Sequence, residues 1–147
     1  LYKTFDTEKA LDDIAASLRW LRENENTSGK TGVVGYCLGG LLSFMSGCQL
    51  DIDAAIGYYW VGIDENLQNK SMIRKPIMLH FAQNDSFVPK SAIKKLEEEF
   101  SNNSLVSIHN YADCDHGFAR TGGGNYDKGA AEISDARTLA LLKKSLM

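Results

Sequence analysis

Four short runs of this chain are apolar and rich in β-branched or aromatic residues: Thr31 to Tyr36, Asp53 to Tyr59, Ile77 to Gln83 and Leu105 to Tyr111. Runs of this length, bounded by Gly, Pro, Asn or Asp, are the pattern of buried strands. Helical patterns fill the intervals at Leu38 to Cys48, Lys90 to Phe100 and Gly129 to Leu146. One more helix precedes them all: Asp6 can cap it, and Leu11, Ile14, Ala15, Leu18 and Leu21 recur at helical spacing as far as Glu25. From there on, strands and helices alternate, so the expected fold class is α/β, a mostly parallel sheet of about four strands flanked by helices. Pro76 and Pro89 both fall at segment boundaries, and Thr121-Gly122-Gly123-Gly124-Asn125 reads as a flexible loop. The chain shows neither an internal repeat nor a linker, which predicts one domain over residues 1–147.

Chain order constrains the topology further. If the strands lie side by side in sequence, right-handed crossovers place the intervening helices on one face of the sheet. Only the last helix can return to cover the other face. The Thr31 to Tyr36 strand is then an open edge whose N–H and C=O groups invite another chain, so self-association through this edge or face is expected.

Composition excludes several classes of function. Sixteen basic residues against nineteen acidic ones give a net charge of −3, without a basic cluster, so no nucleic acid is expected as a partner. No apolar run approaches the ~20 residues that cross a bilayer, so no membrane is expected either. The three cysteines, Cys37, Cys48 and Cys114, lack C-x-x-C spacing, which argues against a disulfide framework or a zinc site and fits a reducing cytoplasm.

Candidate chemistry sits where strands end. In Gly35-Tyr36-Cys37-Leu38-Gly39-Gly40, a thiol stands at the apex of a strand-to-helix turn, with a glycine two residues to either side. The pattern resembles the nucleophile elbow of α/β-hydrolases, with sulfur where serine usually stands, and the helix N-terminus beneath it favours a thiolate. A buried cysteine in the Gly-rich turn of another α/β protein, such as a phosphate-binding loop, is the competing reading. Asp85 follows the third strand and His116 the fourth, so an acid and a base occupy the same edge of the sheet as the thiol, in the order nucleophile, acid, base. Asp113 and Asp115 are nearer to His116 in sequence, but residues flanking a base in one loop point away from its Nδ1 more often than toward it. His80 and His109 lie within strands and read as core or face residues. Cys48 and Cys114 read as small buried ones, and Asp113 to His116 lack metal-ligand spacing.

These stretches, together with Ala55-Ile56-Gly57-Tyr58-Tyr59, Asp85-Ser86-Phe87-Val88-Pro89 and His116-Gly117-Phe118-Ala119-Arg120-Thr121, resemble the dienelactone hydrolase family of α/β-hydrolases. The resemblance implies hydrolysis of a lactone or activated carboxylic ester, a small-molecule substrate, with Cys37, Asp85 and His116 as triad, the Leu38 N–H at the oxyanion, and no metal or cofactor. It also implies that Arg120 grips a substrate carboxylate and that Tyr58 lines the same pocket. Gly117 and Trp60 depart from the family pattern, which has serine and glycine there, so a hydroxyl contact is lost and bulk is added. The match covers roughly the last three-fifths of a family member, and the chain is expected to be a partial domain lacking the first strands and helix. Two other readings stay open: a non-catalytic interaction module derived from a hydrolase, and a thiol-dependent redox or acyltransferase role.

Overall fold

The computed structural model describes residues 5–62 and 66–147. Its elements follow the hydrophobic pattern closely: α1 Thr7–Glu23, β1 Gly32–Tyr36, α2 Leu38–Gln49, β2 Ala54–Tyr58, β3 Ile77–Ala82, α3 Lys90–Phe100, β4 Val106–Tyr111 and α4 Lys128–Leu146. Asp6 caps α1 by accepting from the Lys9 N–H at 3.0 Å, and Asp127 caps α4 by accepting from Ala130 at 2.8 Å. A short 3-10 helix, Leu67–Met72, has no counterpart in the sequence pattern, whose period is too brief there to register.

The sheet is parallel throughout and ordered β1-β2-β3-β4. Every strand therefore points its C-terminal end the same way, and the loops carrying Cys37, Asp85 and His116 gather on one rim. On one face, α1, α2 and α3 enclose a core of Phe44, Trp60, Phe81, Leu96 and Phe100. Fully burying side chains of this kind stabilises the fold by about 1.5–3 kcal/mol each. On the other face α4 lies over β2 and β3. Its buried residues Ala130, Ala131, Ser134 and Thr138 are small, spaced to form one stripe, and let the helix approach Ile56, Tyr58 and Tyr111 closely. Among the described residues β1 pairs only with β2, and its Val34 and Tyr36 remain 38% and 48% exposed.

Candidate active site

The turn after β1 works only because glycines let backbones touch. A Cβ on Gly35 would sit 1.9 Å from the Gly39 carbonyl oxygen, and one on Gly40 would sit 2.7 Å from that of Tyr58. Gly39 itself faces open space. The second glycine that sterics require is therefore Gly40, not the Gly39 of the symmetric motif. Cys37 is bent to φ 55°, ψ −119°, a conformation disfavoured for any residue with a Cβ, and is fixed by its N–H donating to Tyr58 at 3.0 Å and its carbonyl accepting from Gly40 at 2.9 Å. This strained residue immediately precedes α2, so the positive end of the helix underlies the thiol. Leu38, the first residue of α2, has an N–H with no acceptor one turn back inside the helix, as every first-turn N–H does.

Asp85 and His116 meet on this rim. The Asp85 side chain is 1% exposed, and its Oδ2 lies 2.9 Å from His116 Nδ1 while its Oδ1 accepts from the Phe87 N–H at 2.8 Å. The Cys37 side chain hydrogen-bonds the same imidazole, which leaves Nε2 as the ring nitrogen that serves it. The Asp85 hydrogen bond raises the His116 pKa above its ordinary value against the opposing pull of burial, with the Cys37 contact adding to the rise. Cys37, His116 and Asp85, which the sequence led us to expect as nucleophile, base and acid, are thus brought into one hydrogen-bonded line.

A cleft of about 610 Å³ opens over this line, and Cys37, His116, Gly117, Arg120 and Asn125 are among the residues on its walls, with the rings of Tyr36 and Tyr59. Arg120 reaches the site as anticipated. Tyr58 does not: it is fully buried beneath α4, with its hydroxyl 2.7 Å from Thr138 Oγ1, and the tyrosine that meets the cleft is Tyr59, whose ring centroid lies 4.9 Å from that of His116. Trp60 is corrected likewise, because it packs between Phe44 and Phe81 in the α2 core and adds no bulk to the cleft. Gly117 lines the cleft at φ +83°, where a serine would be strained. Missed in the sequence were Tyr36, Tyr59 and Asn125, whose Nδ2 donates to the His116 carbonyl at 2.9 Å. The polar residue at the end of the glycine loop was the one available signal for Asn125.

The other candidates fall away. His80 is fully buried, with Nδ1 2.8 Å from the Tyr111 hydroxyl and Nε2 3.2 Å from Thr138 Oγ1, and burial pushes its pKa down to about 3. Burial pushes the Cys48 thiol up to about 12 and raises that of Cys114, so neither is a nucleophile at neutral pH. Among the described residues no group of three or more His, Cys, Asp or Glu side chains could hold a metal ion, and no helix is long and apolar enough to cross a membrane.

A parallel sheet with a cysteine elbow after β1, and an aspartate and a histidine on the rim loops after β3 and β4, defines an α/β-hydrolase fold. The same architecture recurs in the crystal structure of a putative dienelactone hydrolase from Klebsiella pneumoniae, with a TM-score of 0.88 at 17% identity over 97% of this chain and 64% of that one. It recurs in an esterase from Pyrococcus furiosus, with a TM-score of 0.73 at 16% identity over 95% and 63%. Residues 1–146 match the model of the dienelactone hydrolase family, and the chain belongs to that family. Its curated relatives include the carboxymethylenebutenolidase of Pseudomonas putida, 36% identical over 142 residues, and carboxymethylenebutenolidase 1 of Cupriavidus pinatubonensis, 37% identical over 142 residues. Each alignment takes in 97% of this chain, and the chain spans 60% of the length of these relatives.

Proposed function

We propose that this chain carries the reacting groups of a hydrolase that cleaves a lactone or activated carboxylic ester through a thioester on Cys37. The observation that carries the reading is the hydrogen-bonded line from Asp85 through His116 to Cys37 at the floor of the cleft. His116, oriented by Asp85, takes the thiol proton, and the sulfur attacks the substrate carbonyl. The oxyanion is held by the Leu38 N–H. When the intermediate collapses, the C–O bond breaks and the imidazolium gives its proton to the departing oxygen, which opens the ring of a lactone. Water, deprotonated by His116, then attacks the thioester; the C–S bond breaks, the carboxylic acid leaves, and the imidazolium returns its proton to the Cys37 sulfur. Arg120 on the cleft wall supplies a cation for a carboxylate-bearing substrate, the class to which the relatives' name points. A thiol nucleophile suits a reducing compartment such as the cytoplasm.

The half-exposed Val34 and Tyr36 on β1 favour a second reading for the same molecule, association with another copy through that edge. Sedimentation as a monomer at micromolar concentration would exclude it.

The hydrolase reading is tested by turnover of a small lactone and an aryl ester by the chain and by its Cys37→Ala variant. We expect the substitution to lower turnover by at least about 10³-fold. Turnover that survives it overturns the mechanism. Alkylation of Cys37 by iodoacetamide without any turnover favours an interaction module instead.

A further inference from the structure

Cys37 and the two loops that hold its partners are positioned by different means. The nucleophile is wedged between β1 and the first turn of α2, whereas Asp85 and His116 sit in irregular segments that follow β3 and β4, separated by 31 residues of sequence. Loops of this kind carry no repeating hydrogen-bond pattern of their own to hold one side chain at a fixed distance from another. The geometry that matters here is a single 2.9 Å contact between Asp85 Oδ2 and His116 Nδ1.

One carboxylate spans the gap. Asp115 Oδ1 accepts from the backbone N–H of His116 at 2.6 Å and from the backbone N–H of Ser86, the residue after Asp85, at 3.3 Å. A single oxygen therefore ties the base's own peptide to the acid's. The Asp115 carbonyl also accepts from Phe118 at 3.2 Å, which closes the turn around His116. On the near side the Asn84 N–H donates to the Cys114 carbonyl at 2.9 Å, and on the far side Asn125 Nδ2 holds the His116 carbonyl. Among these bonds that of Asp115 to Ser86 joins the loops through the residues flanking the acid and the base.

We propose that Asp115 is a positioning residue that clamps the Asp85 loop to the His116 loop and sets the Asp85–His116 contact. Its Oδ1 acts as an acceptor for two backbone donors and does not compete for His116 Nδ1, which Asp85 occupies. This inference rests on the hydrolase reading for its catalytic meaning, but the clamp itself is a property of the fold. A displacement of about 1 Å in such a contact can cost on the order of 10²-fold in rate, which is what the clamp prevents.

The test compares Asp115→Ala, which removes the acceptor, with Asp115→Asn, which keeps an Oδ1 but not the charge. His116 is titrated by NMR in each, and lactone turnover is followed in parallel. Because Asp85 is the largest cause of the raised His116 pKa, loosening the contact returns the alanine variant toward the ordinary value of 6.5, while the asparagine variant stays near the parent. Turnover is expected to fall by tenfold or more for alanine, as a loss of kcat at little-changed KM, and to be largely rescued by asparagine. An unchanged His116 titration in the alanine variant overturns the clamp. Equal shifts in both variants assign the effect to the lost charge and overturn it as well. Should the alanine variant not fold, hydrogen exchange in the unmodified protein decides: the Ser86 amide is expected to exchange more slowly than exposed loop amides, and unprotected exchange there overturns the proposal. The titration and the exchange measurement need no substrate, so a failure of the hydrolase reading leaves the clamp's outcome legible.

Discussion

His116 and His80 are the same side chain in the same fold, each engaged at both ring nitrogens, yet the structure drives their pKa values in opposite directions. His116 is only 16% exposed, but a carboxylate 2.9 Å from Nδ1 outweighs burial and favours the charged ring. His80 is fully enclosed and faces hydroxyls, which solvate a charge far less well than a carboxylate neutralises it. Burial dominates there, and the like charges of His109 and Arg137 add to it. What separates a titrating histidine from a silent one in this molecule is the charge of its partner more than its depth.

The neutral histidine is also held in one tautomer by its neighbours. Arg137 can only donate, and does so to the Tyr111 hydroxyl at 3.1 Å; Asp135 can only accept, and does so from the Tyr58 hydroxyl at 3.4 Å. Between these ends lie Tyr111, His80, Thr138 and Tyr58, each bonded to the next. With both ends fixed, every proton in the series points the same way, so Tyr111 donates to Nδ1 and the Nε2–H donates to Thr138. The series runs from Arg137 on α4 through β4 and β3 to Thr138 on α4, and on through β2 to Asp135 on the same helix, locking the helix onto the sheet.

Removing the carboxylate from the first site breaks the comparison most severely. Asp85→Asn keeps the shape and removes the charge, and is expected to lower turnover by on the order of 10²- to 10⁴-fold. The His116 proton is also expected to come off at lower pH than in the parent, followed by NMR. Since the folded pKa lies above the unfolded one, the charged ring contributes stability that is fully present below pH 6.5 and is lost as pH rises through the raised value. The substitution should remove that contribution. An unmoved His116 titration would show that Asp85 is not its partner.

At the second site the pH dependence has the opposite sign. The folded pKa of His80 is near 3, against an ordinary 6.5, so its contribution is present above pH 6.5 and is lost as pH falls toward 3 while the unfolded chain takes up the proton. His80→Leu leaves the Tyr111 and Thr138 hydroxyls each short of a partner in a buried layer and is expected to cost about 2–4 kcal/mol at pH 7 by urea unfolding. Acidification should narrow the gap between parent and variant by at most about 1.4 kcal/mol per pH unit. A gap that stays constant down to pH 4 would mean that His80 titrates normally.

How much of this could be read from the chain follows from where each feature is encoded. Strands and helices are local patterns, and α3 runs over Lys90–Phe100 as its periodicity predicts. That Cys37, Asp85 and His116 share one place was legible because a parallel sheet in chain order sends all three strand ends to one rim. Tyr58 was misplaced for a backbone reason. Alternation along β2 sends Ala54, Ile56 and Tyr58 toward α4, while Ala55 faces α2. It would continue by sending Tyr59 toward α2, but Tyr59 adopts φ 34°, turns into the cleft and hands the α2 core to Trp60. A positive φ at a tyrosine leaves no mark in the sequence. The series through Tyr58, His80, Tyr111 and Thr138 was equally hidden, because its members are far apart in the chain and only the return of α4 joins them.

The gentlest way to sharpen the comparison is therefore at that return. Thr138→Val is nearly isosteric and removes one hydroxyl, which at once takes the acceptor from His80 Nε2–H and the donor from Tyr58. If the series locks α4 onto the sheet, the loss is about 1–2 kcal/mol, seen as a lower urea midpoint at unchanged slope. His80 should remain uncharged near neutral pH, since no carboxylate has been brought to it, while His116 on the rim keeps its raised pKa. A shift at His116 would mean that the two histidine sites are coupled through β2 and β3, and the contrast between them would then belong to the sheet as a whole and not to their separate partners.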